Sequence, residues 1–506
     1  MENQAKKYYD ELHKLSYQAH LLSGVSSLIS WDQETYMPEG AASIRAEQLQ
    51  ALSGIIHDAK TSKKFSTALS KLIDIPTGKI NIKGLKKPEV AAVHAWHRDY
   101  SKEVALPKKF VEEFTKLTSE ALIAWCHARK EDSFHTFAPY LDRIISMNRE
   151  KAELLGYKEH PYDALLDCFE PNATTSEVDR LFTDLKNFLT PLIKKIGALK
   201  PADSSFLFGK FSPSKQMEFG KKILDSIGYD MRRGRLDLSS HPFSSASHPT
   251  DSRITTRIHP NSLMSNLSAV LHEGGHALYE MGLPAIHYGS PLCEAVSLGI
   301  HESQSRFFET RIGLSKPFWS YFLNPLKKTF KGPLENVSLD SFYKAINQVK
   351  PSLIRIEADE VTYNLHIILR FELEKALIEG SLKVRDIPDA WNAKMRELLG
   401  VTPKTNREGC LQDIHWSMGA FGYFPTYALG NIYASHLFLG FQQDHPDWET
   451  KVASGNLLFI KKWLNEHVYK YGRQFSSKEL LEKATKHKLS STAFIDYLSN
   501  KYKKMS

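Results

Sequence analysis

The stretch LHEGGHALYE at residues 271–280 places two imidazoles and a carboxylate in the order H-E-x-x-H, as His272, Glu273 and His276. On a helix, positions i and i+4 share one face about a turn apart, so both imidazoles can reach one ion. Imidazole suits zinc, and a catalytic zinc takes three protein ligands and keeps one position for water. Glu273 lies beside the ligand face, where it could take a proton from that water. The plain alternative is a chance pairing on an ordinary helix of a His-rich chain. Gly274 and Gly275 weigh against it. Each glycine costs a helix about 1 kcal/mol relative to alanine, so two together point to close approach by another element.

A third ligand is needed. EAVSLGIHESQSRFFETRIG, at 294–313, has a second helical pattern and offers Glu294, Glu302 and Glu309. Glu302 and Glu309 are seven apart and fall on nearly the same face. A carboxylate from a second helix would complete a two-His, one-Glu set. Spacing leaves all three glutamates open. His301, beside Glu302, points elsewhere on that helix and reads as a polar neighbour.

The rest of the chain must hold these groups in place. It has 506 residues, 42% hydrophobic and 25% charged, as expected for a soluble globular protein. The length allows two or three domains or one large catalytic unit. A formal net charge of +8, from 66 basic and 58 acidic residues, is mild for this size. The Lys-rich stretches at 191–200 and near the C-terminus are short, so a nucleic-acid footprint is not indicated. Cys126, Cys168, Cys293 and Cys410 show no C-x-x-C spacing and are too few for a disulfide framework, which favours a reducing compartment. The opening MENQAKKYYDELHKL has no apolar signal-like core, and no run approaches the ~18–20 apolar residues of a spanning helix. The expectation is a cytoplasmic protein with no membrane partner.

Apolar residues recur at three- and four-residue spacing over 1–30, 41–59, 109–130, 142–156, 175–199 and 214–227. The pattern resumes over 316–330, 338–348, 360–380, 386–399, 426–441, 450–470 and 477–501. WDQETYMPEG breaks the first two helices, and Pro/Gly breaks near 75–88, 200–213 and 400–409 separate others without resembling flexible tethers. RITTRI at 253–258 is the clearest strand, β-branched and alternating. It lies in 236–262, the longest stretch without helical periodicity, which is expected to be ordered and functional. The chain reads as one mostly helical unit over 1–506, bilobed, with a small β element near the site.

Further motifs carry a resemblance. HPF stands at 241–243, and Asp251-Ser252-Arg253-Ile254-Thr255 fits D-x-R-x-T. Ile354 to Asp359 fits I-R-x-x-A-D, and Gly409 to Trp416 fits G-x-x-Q-D-x-H-W. With HEGGH, GIHESQSR, WDQETYMP at 31–38 and GRLD at 234–237, the chain from about residue 20 onward resembles the carboxypeptidase Taq family of zinc metallopeptidases. The resemblance implies a mostly helical, two-lobed fold with a deep central groove, similar to neurolysin and angiotensin-converting enzyme. It implies removal of single residues from peptide C-termini with broad specificity, proline disfavoured, and a homodimer. Carried over motif by motif, it makes His272, His276 and Glu302 the zinc ligands and Glu273 the general base.

Peptide hydrolysis sets two more demands. The oxyanion needs a donor, a role worth ~3–4 kcal/mol. HWSMGAFGYFPTY at 415–427 offers His415, Tyr423 and Tyr427 in a Gly-rich stretch. Its H-x-x-x-G-x-x-x-Y spacing resembles oligopeptidases of the same fold, which puts Tyr423 first and Tyr427 second. A free C-terminal carboxylate needs a planar cationic fork, which arginine supplies. Arg355 is the first candidate and Arg253 the second, against the alternative of structural ion pairs with Asp251, Glu357 or Asp359. His241 lines the same pocket or caps its loop. Cobalt could replace zinc in such a ligand set. An endo-oligopeptidase on the same fold and a zinc-stabilised binding protein are the competing readings. A purely structural site usually has four protein ligands and needs no base, so Glu273 argues against the second.

Overall fold

The computed structural model describes residues 2–503, and these are mostly helical with one small sheet. Helix α1 spans Glu2–Thr35, so WDQET belongs to the helix and the break starts at Tyr36. Thr35 Oγ1 donates back to the Trp31 carbonyl at 2.7 Å, and the Tyr36 and Met37 amides both close on the Asp32 carbonyl. Pro38 then cannot continue the helix. Two helices that periodicity did not bring out, Lys63–Ser70 and Lys87–Ala105, pack on α1. Together they bury Tyr9, Leu12, Leu69 and Trp96 in a small apolar cluster of their own. A far larger core runs from Leu117 to Tyr502.

The segment 236–262 is ordered, as expected, and holds the sheet. Strands β1 (Leu236–Leu238), β2 (Ser244–His248) and β3 (Asp251–Thr256) lie in the order β1-β3-β2. β1 runs parallel to β3 and β2 antiparallel to it, with an irregularity between Ala246 and His248. The strand foreseen at 253–258 therefore starts two residues earlier and ends at Thr256. Ser252 and Ile254 point into the protein from β3 while Asp251 and Arg253 are partly exposed, a period-two alternation that ends at Thr255, which is buried as well.

Helix α2 (Leu263–Gly282) carries HEGGH and packs against β3. Helix α3 (Leu298–Arg306) starts at Ser297, whose hydroxyl accepts the Ile300 amide at 3.0 Å, and runs on as a π-helical turn, Phe307–Ile312. Helices α4 (Thr362–Glu379) and α5 (Pro425–Asp444) are buried nearly all round, which is why neither shows a one-sided apolar stripe. The long helices expected over 450–470 and 477–501 are broken. The first is Trp448–Ala453, Leu458–His467 and a short turn after it. The second is Ser477–Thr485 and Thr492–Lys503, divided at Lys486 with φ 65°. No helix among the described residues is long and apolar enough to cross a membrane.

Helices α2 and α3 meet backbone to backbone. A Cβ on Gly275 would lie 2.7 Å from Ser305 Cα and closer still to the Gln304 carbonyl oxygen. On the other side of α3, a Cβ on Gly430 of α5 would lie 2.7 Å from Glu302 Cβ. These glycines trade helix propensity for proximity, which brings Glu302 to the histidines. Gly275→Ala should gain about 1 kcal/mol of helix propensity but suffer overpacking against rigid backbone of about 1–3 kcal/mol. Chemical denaturation and metal titration should show a lower midpoint and at least tenfold weaker metal binding. Unchanged values in both would remove the close approach from the explanation of the site.

Candidate metal centre

His272, His276 and Glu302 each offer a ligand atom, and these atoms lie within 4.8 Å of one another. His272 Nε2 stands 3.6 Å and His276 Nε2 3.4 Å from Glu302 Oε2. Two imidazole nitrogens and a carboxylate oxygen converging from two helices fit a divalent ion of borderline softness. Glu294 and Glu309, the other glutamates that spacing left open, are elsewhere. Glu294 pairs with His20 and Arg473.

Glu309 stands behind the first histidine. Its Oε2 lies 2.9 Å from His272 Nδ1 and accepts from Arg306 Nη1 at 2.8 Å. The π turn lets Glu302 and Glu309, seven residues apart, address the two nitrogens of one ring. Behind the second histidine, His301 Nδ1 is 2.6 Å from His276 Nδ1, and His301 Nε2 is 2.7 Å from Glu280 Oε1. Glu280 is a pure acceptor when ionised, so His301 carries its proton on Nε2 and accepts from His276 Nδ1. On His276 the metal-facing Nε2 is thereby left with its lone pair; on His272 Glu309 holds the Nδ1 proton, so Nε2 is the nitrogen freed when the ring gives up its second proton to make way for an incoming ion. His301 is thus more than a polar neighbour: it fixes a ligand's tautomer, as carboxylates behind metal-bound histidines do.

The charges are steeply graded. Burial disfavours a proton on His272, yet Glu302, Glu309 and Glu273 together raise it to about 9. Burial lowers His276 to about 4 against the pull of Glu302. Burial would raise Glu302, but the two imidazoles and Arg306 hold it at about 2. Glu273 is pushed up to about 7, chiefly by burial. An ionised Glu302 and a base poised near neutrality are the two states that metal binding and proton transfer call for.

The Gly-rich loop before α5 is pinned by Glu374 of α4. Its carboxylate accepts from Trp416 Nε1 at 2.8 Å, the Gly422 amide at 3.0 Å and the Tyr162 hydroxyl at 2.6 Å. The loop sets the Tyr423 ring 5.4 Å from that of Tyr427, and Tyr427 Oη stands 3.3 Å from His415 Nε2. Burial raises both tyrosines above their ordinary value, so both keep their protons at neutral pH. Burial lowers His415 to about 4 despite Asp413, which leaves it neutral.

Arg355 is buried and ion-paired, but its partner is none of those expected. Its Nη2 meets Asp413 Oδ1 at 2.9 Å, and Arg370 Nε meets Asp413 Oδ2 at 2.7 Å. Two guanidiniums around one carboxylate leave one positive charge in excess. Arg355 Nη1 also reaches the Tyr363 hydroxyl at 3.3 Å, and Arg306 lies over the Tyr363 ring at 4.8 Å. A single tyrosine therefore separates this cluster from the groups behind His272. Arg253 forms the expected fork with Asp251, at 2.7 and 3.0 Å, and stacks on Trp31 at 4.6 Å. His241 is exposed, and its carbonyl accepts from Ser239 Oγ at 2.6 Å. Sequence reasoning missed Glu280, Arg306, Tyr363, Arg370 and the pairing role of Asp413. Asp413 and Arg306 stood in noted motifs, and Glu280 closes LHEGGHALYE one turn after His276, but none of them shows its partner until the helices are packed.

Comparison with known proteins agrees with this geometry. A family described as carboxypeptidase Taq (M32) metallopeptidase matches residues 11–502. Carboxypeptidase 1 of Bacillus subtilis is 38% identical over 98% of this chain and 97% of its own length. Thermostable carboxypeptidase 1 of Thermus thermophilus is 39% identical over 98% of both. Among solved structures, a Pyrococcus furiosus carboxypeptidase superposes with TM-score 0.94 at 36% identity, covering 98% of this chain and 99% of that one. Metallocarboxypeptidase 1 of Trypanosoma cruzi superposes with TM-score 0.92 at 32% identity and the same coverage. With a His/His/Glu group at its centre, the chain belongs to the carboxypeptidase Taq (M32) metallopeptidase family and is a peptide hydrolase of the carboxypeptidase type.

Proposed function

We propose that this carboxypeptidase is zinc-dependent and releases single residues from the C-termini of peptides, with broad specificity and proline disfavoured. The observation that carries the reading is the pairing of the His272–His276–Glu302 group with a surplus-positive arginine cluster one tyrosine ring away. A hydrolytic site beside a carboxylate receptor suits removal of terminal residues rather than internal cleavage. We further read the chain as one catalytic unit over 1–506, in two lobes about a groove, acting in the cytoplasm as a homodimer. The separate small core around α1 supports the two lobes.

His272, His276 and Glu302 would hold the ion. When bound, zinc, or cobalt in its place, supplies Lewis acidity and an acidified water. Glu273, buried and poised near neutrality, takes the proton of the attacking water and hands it to the leaving amine. Tyr423, kept protonated by burial, donates to the developing oxyanion, with Tyr427 as the second donor and His415 orienting Tyr427. Arg355, whose Nε and Nη2 are held by Asp413, offers its remaining Nη1 and Nη2 hydrogens to the substrate carboxylate and is flanked by Tyr427 at 5.0 Å. Arg253 is the second carboxylate contact; Asp251 is its own partner and balances its charge, whereas Asp413 is shared by Arg355 and Arg370. His241, on its exposed loop, would meet the peptide only at the rim.

The reading is tested by incubating metal-loaded protein with an N-acylated peptide and its C-terminal amide and following both by mass spectrometry. A ladder of single losses from the free acid, abolished by a chelator, with the amide intact, is expected. Internal fragments from both would instead favour the endo-oligopeptidase. Glu273→Gln should keep its metal and lose about a hundred- to ten-thousand-fold in kcat; retained turnover in a metal-replete sample would refute the base. Arg355→Lys keeps the charge but loses the fork, and should raise KM at least tenfold for free-acid peptides with circular dichroism unchanged. An unchanged KM would take Arg355 out of the clamp. Glu309→Gln should weaken metal binding by about 10–100-fold, read by competition with a chromophoric chelator; wild-type affinity would mean that Glu309 does not orient His272.

A further inference from the structure

On the far face of α5 from the metal group lies a cavity of about 680 Å³, within the ordinary range for small-molecule sites. Its floor holds an uneven charge cluster. Arg311 and Lys501, with side chains 1% and 6% exposed, both pair with Glu360, 3% exposed. Tyr497 and Tyr502 also donate to Glu360, so its oxygens are saturated. Two buried cations thus share one carboxylate. The Arg311 fork spends its terminal nitrogens on Glu360, Thr310, Ser435 and the Asn431 carbonyl. Its Nε–H is buried with no partner among the described residues. That Nε–H is sealed from the cavity, but an uncompensated buried charge is costly, and an anion entering beside Lys501 and Arg311 relieves it.

The walls define the rest of the ligand. Phe438 and Trp448 are buried apolar rings, and Tyr497 lies under the Arg311 guanidinium at 3.9 Å. The carboxylates of Glu449 and Asp496 line the same cavity from exposed positions. The rim is mixed, with Lys316 paired to Asp340 and Lys344 beside them, while Glu449 and Asp496 stand on the side of the aromatic rings. A cationic floor, aromatic walls and these two carboxylates match a carboxylate, an apolar body and an ammonium in one small molecule. We propose that this cavity is a second ligand site, separate from the metal centre, for a free α-amino acid with an apolar side chain. Molecules of this class are what a carboxypeptidase releases, so a supply arises from the enzyme's own reaction.

The test uses the metal-loaded protein and L-phenylalanine as the probe, with phenethylamine, which lacks the carboxylate, as the control, read by calorimetry. Ala453→Phe and, independently, Ala493→Trp fill the cavity from half-buried lining positions and leave Arg311, Lys501 and Glu360 themselves unchanged. Arg355→Lys weakens only the proposed substrate clamp. The expected result is a binding component present in wild type and in Arg355→Lys, weakened at least tenfold in either cavity-filling variant, and absent with phenethylamine. Both cavity-filling variants should still trim peptides, so loss of this component is distinguishable from failure of the catalytic reading. A component untouched by both fillings, one removed by Arg355→Lys, or no binding of L-phenylalanine outside the metal site would overturn the proposal.

Discussion

Helices α2 and α3 pass so close that the space for a side chain at Gly275 is already filled by the Gln304 carbonyl and the backbone of Ser305. Most of the site follows from that contact. It brings Glu302 across from one helix to the two imidazoles of the other. It also sets the π turn beyond α3 at the height where Glu309 can reach the back of His272. Gly430 of α5 repeats the device on the far side, so Glu302 is clasped between two helices that have given up side chains to make room. Interhelical packing usually keeps axes about 8–10 Å apart, and side chains alone would not reach this density of polar contacts at a larger separation.

Burial makes the same site electrostatically demanding. Each charged group near the metal group has a partner: Glu302 the histidines and Arg306, Glu309 Arg306 and His272, Glu280 the Nε2–H of His301. Breaking one partner of such a buried pair costs far more than the pair itself contributes. The arginine cluster around Asp413 is built on the same rule but left one negative charge short, and the proposed substrate clamp rests on that imbalance. The cluster at Arg311, Lys501 and Glu360 shows the same imbalance on the other side of α5.

The metal ligands on α2 were legible because their geometry is local: i and i+4 on a helix need no tertiary knowledge. The glycines between them announced a close neighbour, and Gly275 has one. The third ligand was not legible from spacing, since Glu302 and Glu309 share a face and only the turn after Arg306 separates their tasks. The resemblance had assigned Glu302, and the packing brings that residue to the histidines. Arg355 was rightly suspected of an ion pair, but its partner, Asp413, lies 58 positions away, beyond any local rule. Helical periodicity identified most elements. It failed for Lys63–Ser70 and Lys87–Ala105, which bury a narrow face in a separate small core. It also overran at Lys486, where a left-handed residue stops a pattern that continues in the sequence.

The central claim is that one ion is held by His272, His276 and Glu302, with Glu309 and His301 behind the imidazoles rather than on the metal. A crystal structure of the zinc-loaded protein, with data collected on both sides of the zinc absorption edge, tests it most directly. One anomalous peak is expected, bonded to the Nε2 atoms of both histidines and to a Glu302 oxygen, with Glu309 still hydrogen-bonded to His272 Nδ1. A peak bonded to Glu309 or His301, or a zinc site elsewhere with this group empty, would contradict it.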